Sequence, residues 1–246
     1  MLLTIGDIKH YTIHAVDGDI GRVHECYFDD QGWQVRHLVV TTGGWLSRHR
    51  VLIPTMCVAG ITEESRGVRV GLTRDQVATS PGIDTVKPVS RQREGELYWH
   101  YGYTGVPLPV GVQRGGDPHL RRTGEVLAYV MLREHERVGD VDDFLVDATS
   151  WSIRYIVAYL AGWCREKKVL VLPNSIREIS WEERAVRVEL SWTALWNAPR
   201  YDPAQPVDCD FEAHVRDYYI HAQVLLRGSD ERGSPEAGPG LGRAAA

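Results

Sequence analysis

Two histidines near the start of the chain, His10 and His14, are the first side chains that could do chemistry. On a helix, a spacing of four residues would place both imidazoles on one face, where they could ligate a metal ion. The residues around them have the pattern of a strand, however, and no Glu or third ligand is spaced to join them. We therefore expect ordinary surface histidines, and no metal ion or other cofactor.

Pairs of adjacent carboxylates recur along the chain and raise the question of general acid–base catalysis. That chemistry needs two carboxyl groups that converge in one pocket with separated pKa values. Adjacent side chains in a turn point in different directions and are solvated, so we interpret these pairs as turn residues rather than catalysts. They are Asp29-Asp30, Glu63-Glu64, Asp142-Asp143 and Glu182-Glu183.

Nucleophilic and phosphate-binding sites lack their usual motifs in this sequence. No Ser lies in a Gly-x-Ser-x-Gly segment, and neither Gly-x-Gly-x-x-Gly nor a phosphate-binding loop occurs. Cys164, with Arg165 and two lysines nearby, could have a lowered thiol pKa, but its place at the end of a predicted strand favours an ordinary thiol. The four cysteines form no Cys-x-x-Cys pair and are expected to be small buried hydrophobic residues. We expect no enzyme activity.

Four of the tryptophans, Trp33, Trp45, Trp151 and Trp163, could stack on the bases of single-stranded nucleic acid. A nucleic-acid surface usually carries an excess of Lys and Arg. This chain has a formal net charge of −5, and neither half is basic. We expect these tryptophans to pack in the protein core. No DNA partner is expected, and RNA is disfavoured.

The same tryptophans mark an internal repeat. The stretch WQVRHLVVTTGGW, at 33–45, returns 118 residues later as WSIRYIVAYLAGW, at 151–163. The match continues in both directions, from Gly6 and Gly124 to Pro88-Val89 and Pro206-Val207. Similarity at a fixed offset over most of the chain predicts two copies of one domain.

Each copy is predicted to be a small β-barrel. The run at 35–40 is short and rich in β-branched residues, and a Thr-Gly-Gly turn follows it, so it reads as a largely buried strand. About six short strands separated by turns every 8–12 residues favour a closed or partly open barrel. An extended Pro-containing segment at 80–90 then leads to a helix over 91–101, with Leu97, Tyr98 and Tyr101 on one side.

The second copy also ends in a predicted helix, with Asp208 or Asp210 as its N-cap. Both helices could pack on their own barrels or could present aromatic side chains to a partner. The candidate partner contacts are Tyr98, Trp99, Tyr101, Tyr218 and Tyr219.

The predicted boundaries are a first domain at 1–101, a Gly/Pro-rich linker at 102–121, a second domain at 122–227 and a disordered tail at 228–246. No apolar run approaches the roughly 18 residues of a membrane span, and the first residues do not resemble a signal peptide. We therefore expect a cytoplasmic protein that does not insert into a membrane. Whether the barrels pack together is left open, as is homo-oligomer formation.

Several of these segments resemble the PRC-barrel domain. They are Val16–Val23, the Tyr-Phe-Asp-Asp turn at 27–30, and the strand at 33–45 with its continuation to Leu52-Ile53-Pro54. Ser-Pro-x-x-Asp-x-x-x-Pro-Val at 80–89, before an acidic and aromatic helix, is similar to the end of stand-alone bacterial PRC-barrel proteins. The resemblance covers 1–101 and, more weakly, 122–221, where Glu134-His135-Glu136-Arg137 replaces the Asp-Gly turn.

The PRC-barrel family includes the cytoplasmic domain of the photosynthetic reaction-centre H subunit and the C-terminal domain of a ribosome maturation factor. The resemblance implies a small barrel that contacts other macromolecules, and it implies no shared chemistry. The H subunit has a membrane helix ahead of its barrel, whereas the sequence here starts directly with the barrel. The maturation factor pairs one barrel with a different N-terminal domain, whereas two barrels are expected here.

We therefore expect a mainly β protein with two PRC-type barrels in tandem, each followed by an extended segment and a short helix. The expected function is a non-enzymatic module for protein interaction or assembly, with partners not identified by the sequence. One alternative is a sensor that binds a small molecule or ion between the barrels. The other is an RNA-processing or ribosome-associated factor.

Overall fold

The computed structural model describes residues 1–43, 49–81, 91–102, 119–161 and 166–230, with side chains placed for all of these except 91–95 and 223–230. The chain divides into two units, Met1–Pro206 and Val207–Ala246. The first unit contains both β-sheets, and the described part of the second contains one helix.

In the described residues of its first half, the chain forms seven strands and three α-helices. In chain order they are β1 (Leu2–Thr4), α1 (Ile5–Ile8), β2 (Thr12–Ala15), β3 (Gly18–Asp29), β4 (Gln34–Thr42), β5 (Arg50–Pro54), β6 (Val58–Thr62), β7 (Gly67–Val70), α2 (Arg74–Ala78) and α3 (Arg91–His100). The helix predicted over 91–101 is therefore present within one residue of its expected end.

The second half repeats most of this order. It consists of β8 (Leu120–Arg122), α4 (Thr123–Val126), β9 (Val130–Arg133), β10 (Glu136–Asp147), β11 (Ile153–Ala161), β12 (Glu166–Val171), β13 (Ile176–Ser180), β14 (Ala185–Val188), α5 (Trp192–Asn197) and α6 (Cys209–Asp230). Asp208 caps α6, because its carboxylate accepts a hydrogen bond from the Phe211 amide at 2.8 Å. Residues 228–230 continue this helix rather than beginning the predicted disordered tail.

Two sheets of seven strands each have the same topology. Their strand orders are β5-β4-β3-β2-β7-β6 and β12-β11-β10-β9-β14-β13, with β8 and β1 added to them respectively. Within each sheet one pair is parallel, β2 with β7 and β9 with β14, and the other pairs are antiparallel. The protein is thus mainly β, with two small barrel-like sheets.

The two sheets exchange their short first strands. Strand β1, from the first half, pairs with β10 of the second sheet, and β8, from the second half, pairs with β3 of the first sheet. The two registers are equivalent under the 118-residue offset, since Leu2 lies opposite Asp147 and Leu120 lies opposite Asp29. Residues 120 and 121, predicted to belong to the linker, are therefore sheet residues, and the two sheets are joined at both exchanged strands.

The junction between the sheets has a pseudo-twofold arrangement. The Val35 amide donates to the Trp151 carbonyl at 2.8 Å, and the Ile153 amide donates to the Trp33 carbonyl at 2.7 Å. Between these bonds Gln34 forms an isolated bridge with Ser152, its own counterpart in the repeat. Both tryptophans adopt positive φ, 51° and 60°, which such bulky side chains seldom do.

Of the four tryptophans expected in the core, Trp151 is buried and Trp33 is partly buried, and both lie at the junction. Trp151 is 4% exposed, and the ring of Trp33 stacks on Phe28 with centroids 6.0 Å apart. A buried Trp151 cannot serve in a stacking platform for nucleic acid. Trp45 and Trp163 lie outside the described residues.

The core of each sheet is formed by the inward residues of its long central strands. Val23 and Phe28 of β3, Leu38 of β4 and Ile53 of β5 are at most 1% exposed. Each fully buried apolar side chain of this kind contributes about 1.5–3 kcal/mol relative to an exposed one. Among the described residues, no helix is both long enough and apolar enough to cross a bilayer.

Candidate interaction surface

Helix α3 is attached to the first sheet by two of the predicted contact residues. The Tyr101 hydroxyl donates a hydrogen bond to the Leu52 carbonyl of β5 at 3.0 Å, and burial raises the pKa of Tyr101 to about 12. The Tyr98 ring stacks on His37 of β4, with centroids 6.0 Å apart. Both tyrosines are at least nine-tenths buried. They therefore hold the helix in place and do not present a surface to a partner.

The end of α3 is also tied to α2. A ring nitrogen of His100 lies 2.7 Å from the Gln76 carbonyl, and the His100 ring meets Tyr101 edge-on at 5.0 Å. Helix α2 is itself fixed by a capping box, in which Thr73 and Gln76 bond reciprocally to each other's backbone. The described end of α3 is thus attached both to α2 and to the first sheet.

Trp99 lies next to these anchoring residues and is exposed to solvent. Its side chain is 75% exposed, between the buried Tyr98 and the partly buried His100. An open cleft of about 440 Å³ is lined by Pro81, Glu96, Trp99 and His100. Trp is among the residues that contribute most to protein–protein binding, because it combines a large apolar area with one hydrogen-bond donor.

Of the two predicted contact residues on α6, one is buried and the other is partly exposed. Tyr219 is fully buried, and burial raises its pKa, whereas Tyr218 is partly exposed. Their rings meet edge-on with centroids 5.2 Å apart. Next to them, Ile220 is 53% exposed. Of the five candidate residues, Trp99 is therefore the most accessible and Tyr218 the second.

A second candidate site lies where the two sheets meet. Asp30 receives hydrogen bonds from Arg121 Nε at 2.7 Å and from the His119 ring at 2.9 Å, while its own side chain is only 8% exposed. The expectation that the paired carboxylates are solvated is wrong for Asp30, because the segment 119–121 brings these two partners onto it. It is also wrong for Asp143, whose carboxylate accepts hydrogen bonds from the Gly6 and Phe144 amides and whose pKa burial raises. Asp29 does behave as a turn residue, since it accepts bonds from the Gln31 and Gly32 amides.

Burial raises the pKa of the Asp30 carboxyl above its usual range, and the bonds from Arg121 and His119 oppose part of that rise. A cleft of about 260 Å³ opens beside this carboxyl. Its lining comes from both halves of the chain, including Gln31 and Trp33 from the first and Arg177 from the second. The recess is lined by two arginines and one histidine together with apolar side chains such as Trp33.

The two histidines do not lie on a common helix face. His14 lies in β2 and its ring contacts the Asp19 carboxylate at 2.7 Å, and His10 lies just before that strand with φ 84°. In the part of the chain that the structure describes, no group of three or more His, Cys, Asp or Glu side chains is arranged to hold a metal ion. Cys164 lies outside that part.

Sequence reasoning missed His37 and the cluster around Asp30. His37 is completely buried, and burial, assisted by the nearby Arg36 charge, lowers its pKa to about 3. A signal for the Asp30 cluster was present in the repeat itself. Asp30 aligns with Ala148 and Arg121 aligns with Leu3, so two charges that bond to each other are each absent from the other copy.

Comparison with known protein families gives one match. The family model of the PRC-barrel domain matches residues 3–77, which extend from β1 into α2. No curated protein shows significant similarity to the chain. The first half of the chain thus contains a PRC-barrel domain, as its resemblance implied.

Proposed function

We propose that this chain is a non-enzymatic module for protein interaction or assembly, and that the surface around Trp99 is its main contact with a protein partner. The exposure of Trp99, beside the two tyrosines that anchor α3 to the first sheet, is the observation that carries the proposal. A PRC-barrel domain suggests an interaction or assembly role at most, which agrees with this assignment.

The energetics of Trp99 favour a protein partner. Burying the exposed part of an indole would contribute roughly 4 kcal/mol of apolar transfer free energy. Tyr98 and Tyr101 already fix the helix, so little ordering of the helix backbone would oppose binding there. The adjacent Glu96 and His100 would supply a polar rim to the apolar contact.

The test is capture of partners from the host by the full chain and by two variants. Trp99→Ala removes the proposed contact, and Trp181→Ala is the matched control, since Trp181 is 56% exposed in the hairpin between β13 and β14. We expect Trp99→Ala to reduce recovery of a reproducible partner at least tenfold and Trp181→Ala to leave it unchanged. Both variants should keep their free energy of unfolding within about 0.5 kcal/mol of the original, as surface substitutions usually do.

Two results would contradict the proposal. One is the absence of any reproducible partner under crosslinking conditions. The other is equal recovery by both variants, which would mean that the partner binds elsewhere.

The cleft beside Asp30 supports a second candidate, a sensor for a small polar molecule. Its lining from both halves, with Arg121 and His119 converging on Asp30, is the specific observation in its favour. Its volume of about 260 Å³ is slightly below the 300–1,000 Å³ of typical ligand sites, so this function ranks second. Melting curves with a panel of small carboxylates, phosphates and amino acids test it. A shift that Arg177→Leu abolishes would support the sensor, and an unshifted melting temperature throughout would exclude it.

An RNA-associated role has less support than either. The formal net charge of −5 offers no electrostatic drive toward a phosphate backbone. Salt-sensitive retention of RNA by the purified chain would be evidence for an RNA-associated role.

A further inference from the structure

We propose that the junction between the two halves is selective, so that each half pairs with the other in preference to a second copy of itself. The first half is residues 1–102 and the second is residues 119–206. Charge and shape differences at equivalent positions of the repeat, centred on Asp30 and Arg121, carry this selectivity. The interaction surface is the edge where β1 and β8 are exchanged, and its preferred partner is the other half.

One part of the junction has equivalent hydrogen bonds in both halves. These bonds could also form between two copies of the same half. The Gly6 amide donates to the Asp143 carboxylate at 3.2 Å, and the Gly124 amide donates to Glu25 Oε1 at 3.0 Å. Gly6 and Gly124 are equivalent in the repeat, and so are Glu25 and Asp143. Two first halves, or two second halves, could therefore dock in the same way.

The charged part of the junction is not symmetric. Arg121 and His119 bond to the buried Asp30, but Arg121 is equivalent to Leu3 and Asp30 to Ala148. A pair of first halves would place Leu3 against each Asp30 and leave two buried carboxylates without a cation. A pair of second halves would place each Arg121 against Ala148. Loss of one partner of a buried ion pair is strongly destabilising, so both self-pairings are disfavoured.

The apolar centre of the junction discriminates as well. The rings of Phe28 and Phe144 meet with centroids 5.2 Å apart. Phe144 is equivalent to Cys26, and Phe28 is equivalent to Val146. A pair of first halves would oppose Phe28 to the much smaller Cys26 and leave a void, whose cost rises with its volume.

A third difference between the two halves is the hydroxyl group of Thr123. Thr123 Oγ1 donates to the Cys26 carbonyl at 3.2 Å and accepts from the Cys26 amide at 3.3 Å, in a buried position. Its equivalent in the first half is Ile5, which has no hydroxyl. In a pair of first halves the Cys26 backbone would lose both bonds, because Ile5 would replace Thr123.

The test begins with the full chain, into which a protease site is inserted between Pro109 and Val110. After folding and cleavage, the two fragments are carried through one cycle of urea unfolding and refolding, so that they can exchange partners. Native mass spectrometry then separates first–first, first–second and second–second pairs by mass. We expect first–second pairs to exceed both self-pairs at least tenfold. A statistical mixture of the three would overturn the proposal without any variant.

The variants replace each charged residue with its equivalent from the other half. Asp30→Ala with Arg121→Leu makes this part of the junction symmetric and apolar, and should raise the fraction of first–first pairs at least tenfold. Arg69→Leu, at an exposed position of β7 and outside this cleft, is the control and should change nothing. An unchanged fraction in the double variant would show that Asp30 and Arg121 do not determine the choice.

Urea unfolding of the uncut chain provides a measurement that does not require fragments to refold. Each single variant, Asp30→Ala or Arg121→Leu, should lower the urea midpoint of unfolding. The double variant should lower the midpoint by less than the sum of the two single decreases. Additive single effects would contradict the coupling on which the selectivity depends.

Discussion

Replacement of His37 by Phe should remove a specific part of the acid sensitivity of this protein. The imidazole is completely buried, and its pKa falls from an unfolded value of 6.5 to about 3 in the folded chain. Between these values the unfolded state binds one more proton than the folded state. The stability that neutral His37 contributes is therefore complete above pH 6.5 and is lost as the pH falls toward 3.

The magnitude follows from this window. On lowering the pH from 7 to 5, a single group with these pKa values reduces the free energy of unfolding by about 2 kcal/mol, at roughly 1.4 kcal/mol per pH unit. Phe keeps a planar ring against Tyr98 but cannot take up the proton. His24, whose pKa burial also lowers, and Asp30 titrate alike in both proteins, so they cancel in the difference.

The assay is urea unfolding followed by tryptophan fluorescence, at pH 7 and pH 5 and at constant ionic strength. The original chain should lose about 2 kcal/mol more than His37→Phe between the two pH values. His135→Gln is the control, because His135 is exposed in the turn between β9 and β10. Equal losses in the original chain and in His37→Phe would refute the assignment of a depressed pKa to this buried imidazole.

Two further predictions concern close packing and thiol access. Gly21→Ala would place a Cβ against the Thr41 carbonyl oxygen, well inside van der Waals contact, and should cost about 3 kcal/mol of stability. Gly71→Ala, whose Cβ would meet no atom within 4 Å, should change stability by less than about 1 kcal/mol. Comparable urea midpoints for the two variants would contradict the tight approach of β3 to β4. The thiol of Cys26 is buried with its pKa raised to about 12, so maleimide at pH 7 should label exposed Cys209 in the folded chain and Cys26 only after unfolding, as peptide mapping can check.

The repeat and its strand pattern were sufficient to predict most of the fold. The run at 35–40 lies within β4, and the helix expected over 91–101 is α3 with Leu97, Tyr98 and Tyr101 buried, as its spacing indicated. Local pattern is informative here because these elements bury one face against neighbours from the same copy.

The exchanged strands could not be predicted in that way. Strands β1 and β8 have three residues each, too few to show an alternating pattern, and their hydrogen bonds go to the other half of the chain. The burial of Asp30 has the same origin, because a carboxylate in a turn is solvated until Arg121 arrives from 91 residues away. For α3, the aromatic pattern alone did not separate the anchoring Tyr98 and Tyr101 from the exposed Trp99.

The exchange of first strands also dictates an order of events during synthesis. Ribosomes release the chain at roughly 5–20 residues per second, from the N-terminus onward. Strand β1 emerges first, yet its place beside β10 does not exist until residue 147 has been made, and β3 keeps a bare edge until β8 follows at 120–122. Neither sheet can therefore gain its full set of strands until residues from both halves of the chain have been synthesised.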